Sequence, residues 1–217
     1  EWALYVPEDK KRDQSYFLFS IKPEDLDFID FPLGDFTKNE IRDLAKSMQF
    51  HLYDKADSQD ICFVPEGDYK KFIKKNIKDP IKGEIVDLQN NVIETHEGIY
   101  NFTIGQRRGL GVSKEKPMYV KQIDSKNNRV IVAEKEEIYS REVFVKDINY
   151  LTEVNNSKIK VRVRSTGNFL NSKIKKTDDT EATIILDQPE NAISPGQACV
   201  FYNEDNNGIR LLGGGWI

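Results

Sequence analysis

The sequence predicts an α/β portion to about residue 80, then two small, mostly antiparallel β units, the last of them a barrel. Three observations carry this. Apolar residues at helical spacing are confined to the first part of the chain. That periodicity stops near Pro80-Ile81-Lys82-Gly83. From there short β-type runs recur between polar turns, as in a small barrel. The expected domains are 1–80, 81–147 and 148–217.

Glu1-Trp2-Ala3-Leu4-Tyr5-Val6 reads as a strand that begins at once, as a piece cut from within a domain would. Asp13 to Ile21 reads as a helix capped by Asp13. Phe31-Pro32-Leu33-Gly34-Asp35-Phe36 is a tight turn leading to Thr37-Lys38-Asn39-Glu40, a capping box. Ile41, Leu44, Ala45 and Met48 follow at helical spacing, so one face of this helix is expected to pack inward. A strand through Ile61–Val64 comes next. Gly67-Asp68 opens a second helix with Tyr69, Phe72, Ile73 and Ile77 inward and Lys70, Lys71, Lys74, Lys75 and Lys78 outward. That lysine face fits simple solvation or RNA contact. So few strands cannot close a sheet, and an edge stays open unless further chain covers it.

Beyond residue 80, Gly83–Leu88, Ile99–Ile104, Met118–Ile123 and Arg129–Ala133 read as strands, joined in part by the polar turns Asp87–Asn91 and Asp124–Asn128. Ser157–Arg164, Glu181–Leu186, Gln197–Tyr202 and Arg210–Gly213 continue the pattern.

Composition narrows the function classes. A net charge of −4 argues against indiscriminate nucleic-acid binding. Yet no acid occurs between Glu153 and Asp178, a window holding Lys158, Lys160, Arg162, Arg164, Lys173, Lys175 and Lys176. Such a strip points to a directed polyanion contact. No run approaches the roughly 20 apolar residues of a membrane span, and no secretory leader is visible. Two cysteines, no Cys-x-x-Cys pair and two distant histidines leave neither a disulfide framework nor a zinc site, so a reducing cytoplasm is expected.

Three runs could carry chemistry. Cys62 follows the polar quartet Asp57-Ser58-Gln59-Asp60 and starts an apolar strand, a junction that fixes a thiol while a loop admits substrate. The competing reading is a small buried hydrophobe. Thr103-Ile104-Gly105-Gln106-Arg107-Arg108-Gly109-Leu110-Gly111 brackets two arginines with glycines; Arg107 and Arg108 are candidate phosphate contacts, or exposed arginines on a plain hairpin. It matches neither a P-loop nor a dinucleotide fingerprint. Lys158-Ile159-Lys160-Val161-Arg162-Val163-Arg164 alternates, placing its cations on one face roughly 6.5 Å apart, near the spacing of phosphates along a strand. Lys160 and Arg164 are candidate phosphate contacts there; the alternative is a charge-guarded edge strand. Cys199, between Ala198 and Val200, reads as buried. His51 and His96 sit in no motif.

Together, Arg12-Asp13-Gln14-Ser15-Tyr16-Phe17-Leu18, Phe31-Pro32-Leu33-Gly34-Asp35, Asp57 to Val64, Tyr100 to Gly111, Ser194-Pro195-Gly196-Gln197-Ala198 and Leu212-Gly213-Gly214-Gly215-Trp216-Ile217 resemble, in order, the bacterial tRNA-specific 2-thiouridylases. The resemblance implies that 1–80 is the end of a PP-loop, Rossmann-like ATP-pyrophosphatase domain. It implies that ATP, with Mg2+, adenylates the C2 oxygen of the wobble uridine and that a persulfide sulfur then displaces AMP. Cys62 matches the family's persulfide-forming cysteine. The family's Ser-Gly-Gly-x-Asp-Ser phosphate loop and its first catalytic cysteine have no counterpart here, so the chain looks like a carboxyl-terminal portion, inactive by itself. Contact with tRNA carries over to Arg12, Asp13, Gln14, Arg162, Val163 and Gln197. Arg12 stands where lysine is usual, which keeps the charge; Val163 stands where tyrosine is common, which removes a stacking or hydroxyl contact. The implied partners are tRNA and a persulfide donor, either a cysteine desulfurase or a sulfur-relay protein, with no membrane. The alternative function is a non-catalytic tRNA-binding module.

Overall fold

The computed structural model describes residues 2–51, 53–55, 72–73, 81–112, 114–155 and 158–217. The chain divides into two compact units, Glu1–Ala56 with Ser140–Ile217, and Asp57–Tyr139.

The second unit is built on a four-stranded sheet in the order β2-β1-β4-β3, from β1 (Gly83–Val86), β2 (Val92–His96), β3 (Tyr119–Asp124) and β4 (Arg129–Ala133). β1 runs parallel to β4 and the other pairs are antiparallel, so the sheet is mixed. The two polar turns close its hairpins by one device. Asp87 accepts the Gln89 and Asn91 amides, and Asp124 accepts those of Lys126 and Asn127. Asn90 and Asn128 take left-handed φ values of 63° and 52°, which asparagine tolerates well. Ile85, Leu110, Val120, Val130 and Val132 form the core. The expected strand Ile99–Ile104 is instead a 3-10 turn, Ile99–Asn101, after Gly98. Its apolar residues Ile99, Phe102 and Ile104 pack on the core from a loop, so apolar content misled the reading.

The first unit centres on a closed six-stranded barrel, β10-β5-β8-β7-β6-β9. Its strands are β5 (Tyr139–Tyr150), β6 (Lys158–Arg162), β7 (Leu170–Lys176), β8 (Ala182–Asn191), β9 (Ala198–Asp205) and β10 (Gly208–Trp216). One cluster, including Val143, Val161, Ile174, Ile184, Leu186, Cys199 and Phe201, fills one side of the strands. Closure depends on close backbone approach. A Cβ on Gly213, whose φ is +136°, would lie 2.2 Å from the Asn149 carbonyl oxygen, and one on Gly214 would lie 2.8 Å from that of Cys199.

A second cluster joins the start of the chain to the barrel: Val6, Tyr16, Phe19 and Leu26 pack on Leu151, Ala198, Val200, Tyr202 and Leu211. The expected amino-terminal strand is reduced to a single bridge, Tyr5 to Arg210, along β10. The helix expected over Asp13–Ile21 is a 3-10 helix, Ser15–Leu18. Three residues per turn put Tyr16 and Phe19 on the same side, where both are buried. The expected Asp13 cap is corrected as well: the N-cap is Gln14, without a side-chain cap, although Asp13 Oδ1 accepts the Ser15 amide from one residue further out.

The helix α1 (Lys38–Ser47) carries the full capping box between Thr37 and Glu40. Its apolar stripe is not covered by the described residues: Leu44 is 44% exposed and Met48 56%. This corrects the inward packing expected of that face. The Ile61–Val64 strand lies outside the described residues, as does the second helix apart from Phe72 and Ile73, which are helical. The family comparison below supports the α/β assignment of this region. Among the described residues no helix is long and apolar enough to cross a membrane.

Two outcomes follow. Gly214→Ala sets a methyl group against fixed backbone, so it should cost about 1–3 kcal/mol. Urea unfolding should show a lower midpoint at unchanged slope. His96, 6% exposed, accepts the Gly98 amide at Nδ1 (3.0 Å), which requires the neutral ring. Burial pulls its pKa below the ordinary 6.5, opposed by the Asn128 carbonyl and Glu97. The unfolded chain therefore binds this proton first. The stability contributed is whole above that value and falls as pH drops below it. Melting curves at descending pH should show the loss, and His96→Gln should flatten it.

Candidate nucleic-acid interface

The residues of the cationic strip are placed by the barrel. Along β6 the burial alternates at Lys158, Ile159, Lys160 and Val161, then Arg162 and Val163 are both buried. The strip is not an uncompensated cationic face. Lys160 pairs with Glu204 of β9, Arg162 with Asp13, and Arg164 with Glu190 of β8 at 3.1 Å. The acid-free window of the sequence is real, but folding delivers carboxylates from three distant segments. Lys158 of β6 and Lys173 of β7 stand opposite each other, both exposed.

Arg162 is the most constrained of these cations. Its Nη1 donates to Asp13 Oδ2 at 2.6 Å, Nε donates to the Gly167 carbonyl at 3.1 Å, and Nη2 donates to the Ser165 carbonyl. The guanidinium lies 5.2 Å from the Phe169 ring centroid. The two side chains are 9% and 4% exposed, so both charges are largely out of water and satisfied by one another. One arginine thus holds the Ser165–Phe169 loop and the Asp13 segment together.

Neutral contacts reinforce the junction. The Tyr16 hydroxyl donates to the Ala198 carbonyl at 2.9 Å and accepts the Ala198 amide at 3.1 Å. Asn149 Nδ2 donates to the carbonyls of Phe19 and Ile21, each at 2.7 Å. Ser15 Oγ meets the Tyr202 hydroxyl at 3.2 Å, and burial pushes that phenol up to about 12 against the Arg162 charge.

Between the two held segments lies a cleft of about 570 Å³. Lys10, Lys11, Asp13, Gln14 and Phe17 line it from the amino-terminal segment, and Arg162, Thr166, Asn168 and Phe169 from the barrel. The resemblance-derived residues Asp13, Gln14 and Arg162 therefore share one site, with exposed Arg12 beside them in sequence. Val163 has its side chain in the barrel core at 2% exposure, so only its backbone could reach a ligand. Gln197 is exposed and adjoins Ala198, the residue gripped by Tyr16. Arg107 and Arg108 are exposed in the second unit, on a turn built by Gln106, whose side chain accepts the Thr103 amide and donates to the Arg108 carbonyl. Lys10, Lys11, Phe17 and the Thr166–Asn168 stretch were not singled out in the sequence. The available signal was the turn-forming run Ser165-Thr166-Gly167-Asn168 straight after the basic strand.

The second unit has a larger cleft, about 950 Å³, lined by Asp87, Glu115, Glu134, Glu136 and Glu137 with Lys114 and Lys116. Carboxylates dominate it and repel a polyanion, so size does not decide the interface. Cys62 lies outside the described residues. Among the described residues no cluster of three His, Cys, Asp or Glu could hold a metal ion.

Three family models match consecutive stretches of the chain: a tRNA methyl transferase HUP domain at 1–66, a tRNA methyl transferase PRC-barrel domain at 70–134, and an aminomethyltransferase beta-barrel domain at 140–217. This succession defines a class of tRNA-modifying enzymes with an α/β segment, a middle β segment and a terminal barrel. Curated relatives named tRNA-specific 2-thiouridylase MnmA match nearly the whole chain. That of Dinoroseobacter shibae is 47% identical over 99% of the chain and 57% of its own length. Those of Anaplasma marginale and Rickettsia canadensis are 42% and 43% identical, covering 100% and 99% of this chain and 56% and 58% of their own lengths. The chain belongs to the tRNA-specific 2-thiouridylase family, and it spans a little over half the length of these relatives.

Breaking the buried pair should be costly, because one charge is stranded. Asp13→Ala should destabilise the first unit by about 3–5 kcal/mol. Replacing both members (Asp13→Ala with Arg162→Met) should recover much of that loss. Denaturant midpoints of the single and double variants decide it.

Proposed function

We propose that this chain belongs to an enzyme that transfers sulfur, with ATP, from a persulfide on Cys62 to C2 of the wobble uridine of tRNA. The carrying observation is identity of 42–47% along 99–100% of the chain to proteins named for that activity. The family models bear the label methyl transferase, but each matches only about a third of the chain. The relatives match nearly all of it, and they weigh more.

The cleft supports a tRNA-holding role for the first unit. Arg12, Gln14 and Gln197 are exposed and suited to direct contact. Asp13, Arg162 and Val163 are buried or mutually paired and act by shaping the site. Lys160 and Arg164, each with a carboxylate partner, are weaker phosphate ligands than Arg107 and Arg108. The domains proposed are 1–80, 81–147 and 148–217, with the last boundary drawn back to the start of β5, because the whole of that strand belongs to the barrel.

ATP with Mg2+ would supply activation of the uridine oxygen. The chain has no Ser-Gly-Gly-x-Asp-Ser sequence, and the proposal puts the ATP site mostly outside this chain. Cys62 would act as a thiolate, loaded with sulfur by a cysteine desulfurase or relay protein. Tested by itself, the chain is expected to bind tRNA in a salt-sensitive way and to turn over no ATP.

In the longer protein, Cys62→Ser should abolish thiolation while leaving tRNA affinity nearly intact. Mass analysis of tRNA nucleosides beside a binding titration measures both. Full thiolation by the variant would remove Cys62 from the mechanism.

A further inference from the structure

We infer that Phe17 is a stacking platform for one unpaired RNA base in the cleft between the amino-terminal segment and the Ser165–Phe169 loop. The inference deepens the proposed tRNA reading and depends on it.

Phe17 is 58% exposed although both of its aromatic neighbours in the 3-10 stretch, Tyr16 and Phe19, are buried at 6%. Its backbone and ring each have one neighbour all the same. Its amide donates to the Gln14 carbonyl at 3.0 Å, and its ring meets Tyr16 edge-on at 5.3 Å and 87°. Phe28, at 88% exposure, is barer but does not line this cleft. Phe169, across the cleft, already carries the Arg162 guanidinium and meets Tyr202 edge-on at 5.0 Å. Phe17 is thus the lining aromatic ring with an open face.

The rest of the lining fits a nucleotide. Lys10 and Lys11 supply positive charge for a phosphate, with Asp13 already neutralised by Arg162. Gln14 and Asn168 carry amides able to donate to and accept from a base edge. Exposed aromatic rings beside cations are how proteins hold single-stranded RNA.

The test uses the 217-residue chain and a short hairpin RNA with 2-aminopurine in its unpaired loop. A matched hairpin whose loop is abasic serves as the phosphate-only probe. Stacking predicts that wild type perturbs the fluorescence on binding and that Phe17→Ala weakens binding about tenfold. Phe17→Trp should retain affinity, and Phe17→Leu should fall near the alanine variant. The dependence of affinity on salt should stay unchanged in Phe17→Ala, whereas Lys11→Ala should lower its slope by about one. The abasic hairpin should bind wild type and Phe17→Ala alike.

Equal affinity of wild type and Phe17→Ala for the base-containing hairpin would overturn the stack and leave the tRNA reading standing. A lowered melting temperature in Phe17→Ala with unchanged affinity would do the same, marking Phe17 as a packing residue. Failure of wild type to bind either hairpin would overturn both.

Discussion

A charge pair removed from water joins two parts of the chain that are far apart in sequence. Arg162 could discharge its desolvation cost only with a close carboxylate and saturated donors, and it has both: Asp13 at one nitrogen and backbone carbonyls at the others. Such a pair adds little net stability over an apolar substitute. Its contribution is register, because a shift of either segment strands a buried charge. The amino-terminal segment and the Ser165–Phe169 loop are therefore held at a defined separation, and the cleft between them has a defined shape.

The apolar chemistry around the pair serves the same end. β9 is buried along Ala198–Tyr202, with Cys199 and Phe201 in one cluster and Ala198, Val200 and Tyr202 in the other. A strand covered on both faces loses the usual alternation and reads as a continuous apolar run. The barrel is thus packed inside by its own strands and outside by Tyr16, Phe19 and Leu26. Glycines on β10 allow the backbone approach that this double packing demands.

Much of this was legible in the sequence, and the failures have physical causes. The Asp87 and Asp124 turns announced themselves because their side chains cap their own backbone. The capping box at Thr37 did so for the same local reason. β5 and β7 escaped notice because charged, outward residues interrupt their apolar ones, as in Ser140-Arg141-Glu142-Val143. The cationic strip was misjudged because Glu190, Glu204 and Asp13 reach it only through barrel closure and docking. Arg12, Asp13, Gln14 and Gln197 came from family resemblance, and Arg162 both from that and from the cationic strip; that Asp13 grips Arg162 was visible in no spacing rule. The exposed stripe of α1 is amphipathic in sequence, and periodicity says which residues share a face without saying what meets it.

The barrel also hides one of the two thiols in the sequence. Cys199 has no accessible surface, and burial alone raises its thiol far above the ordinary range. An electrophile added to the native chain finds neither a path to that atom nor a thiolate to attack. Alkylation without denaturant consequently leaves the barrel thiol unlabelled, and that thiol stays silent until the strands part.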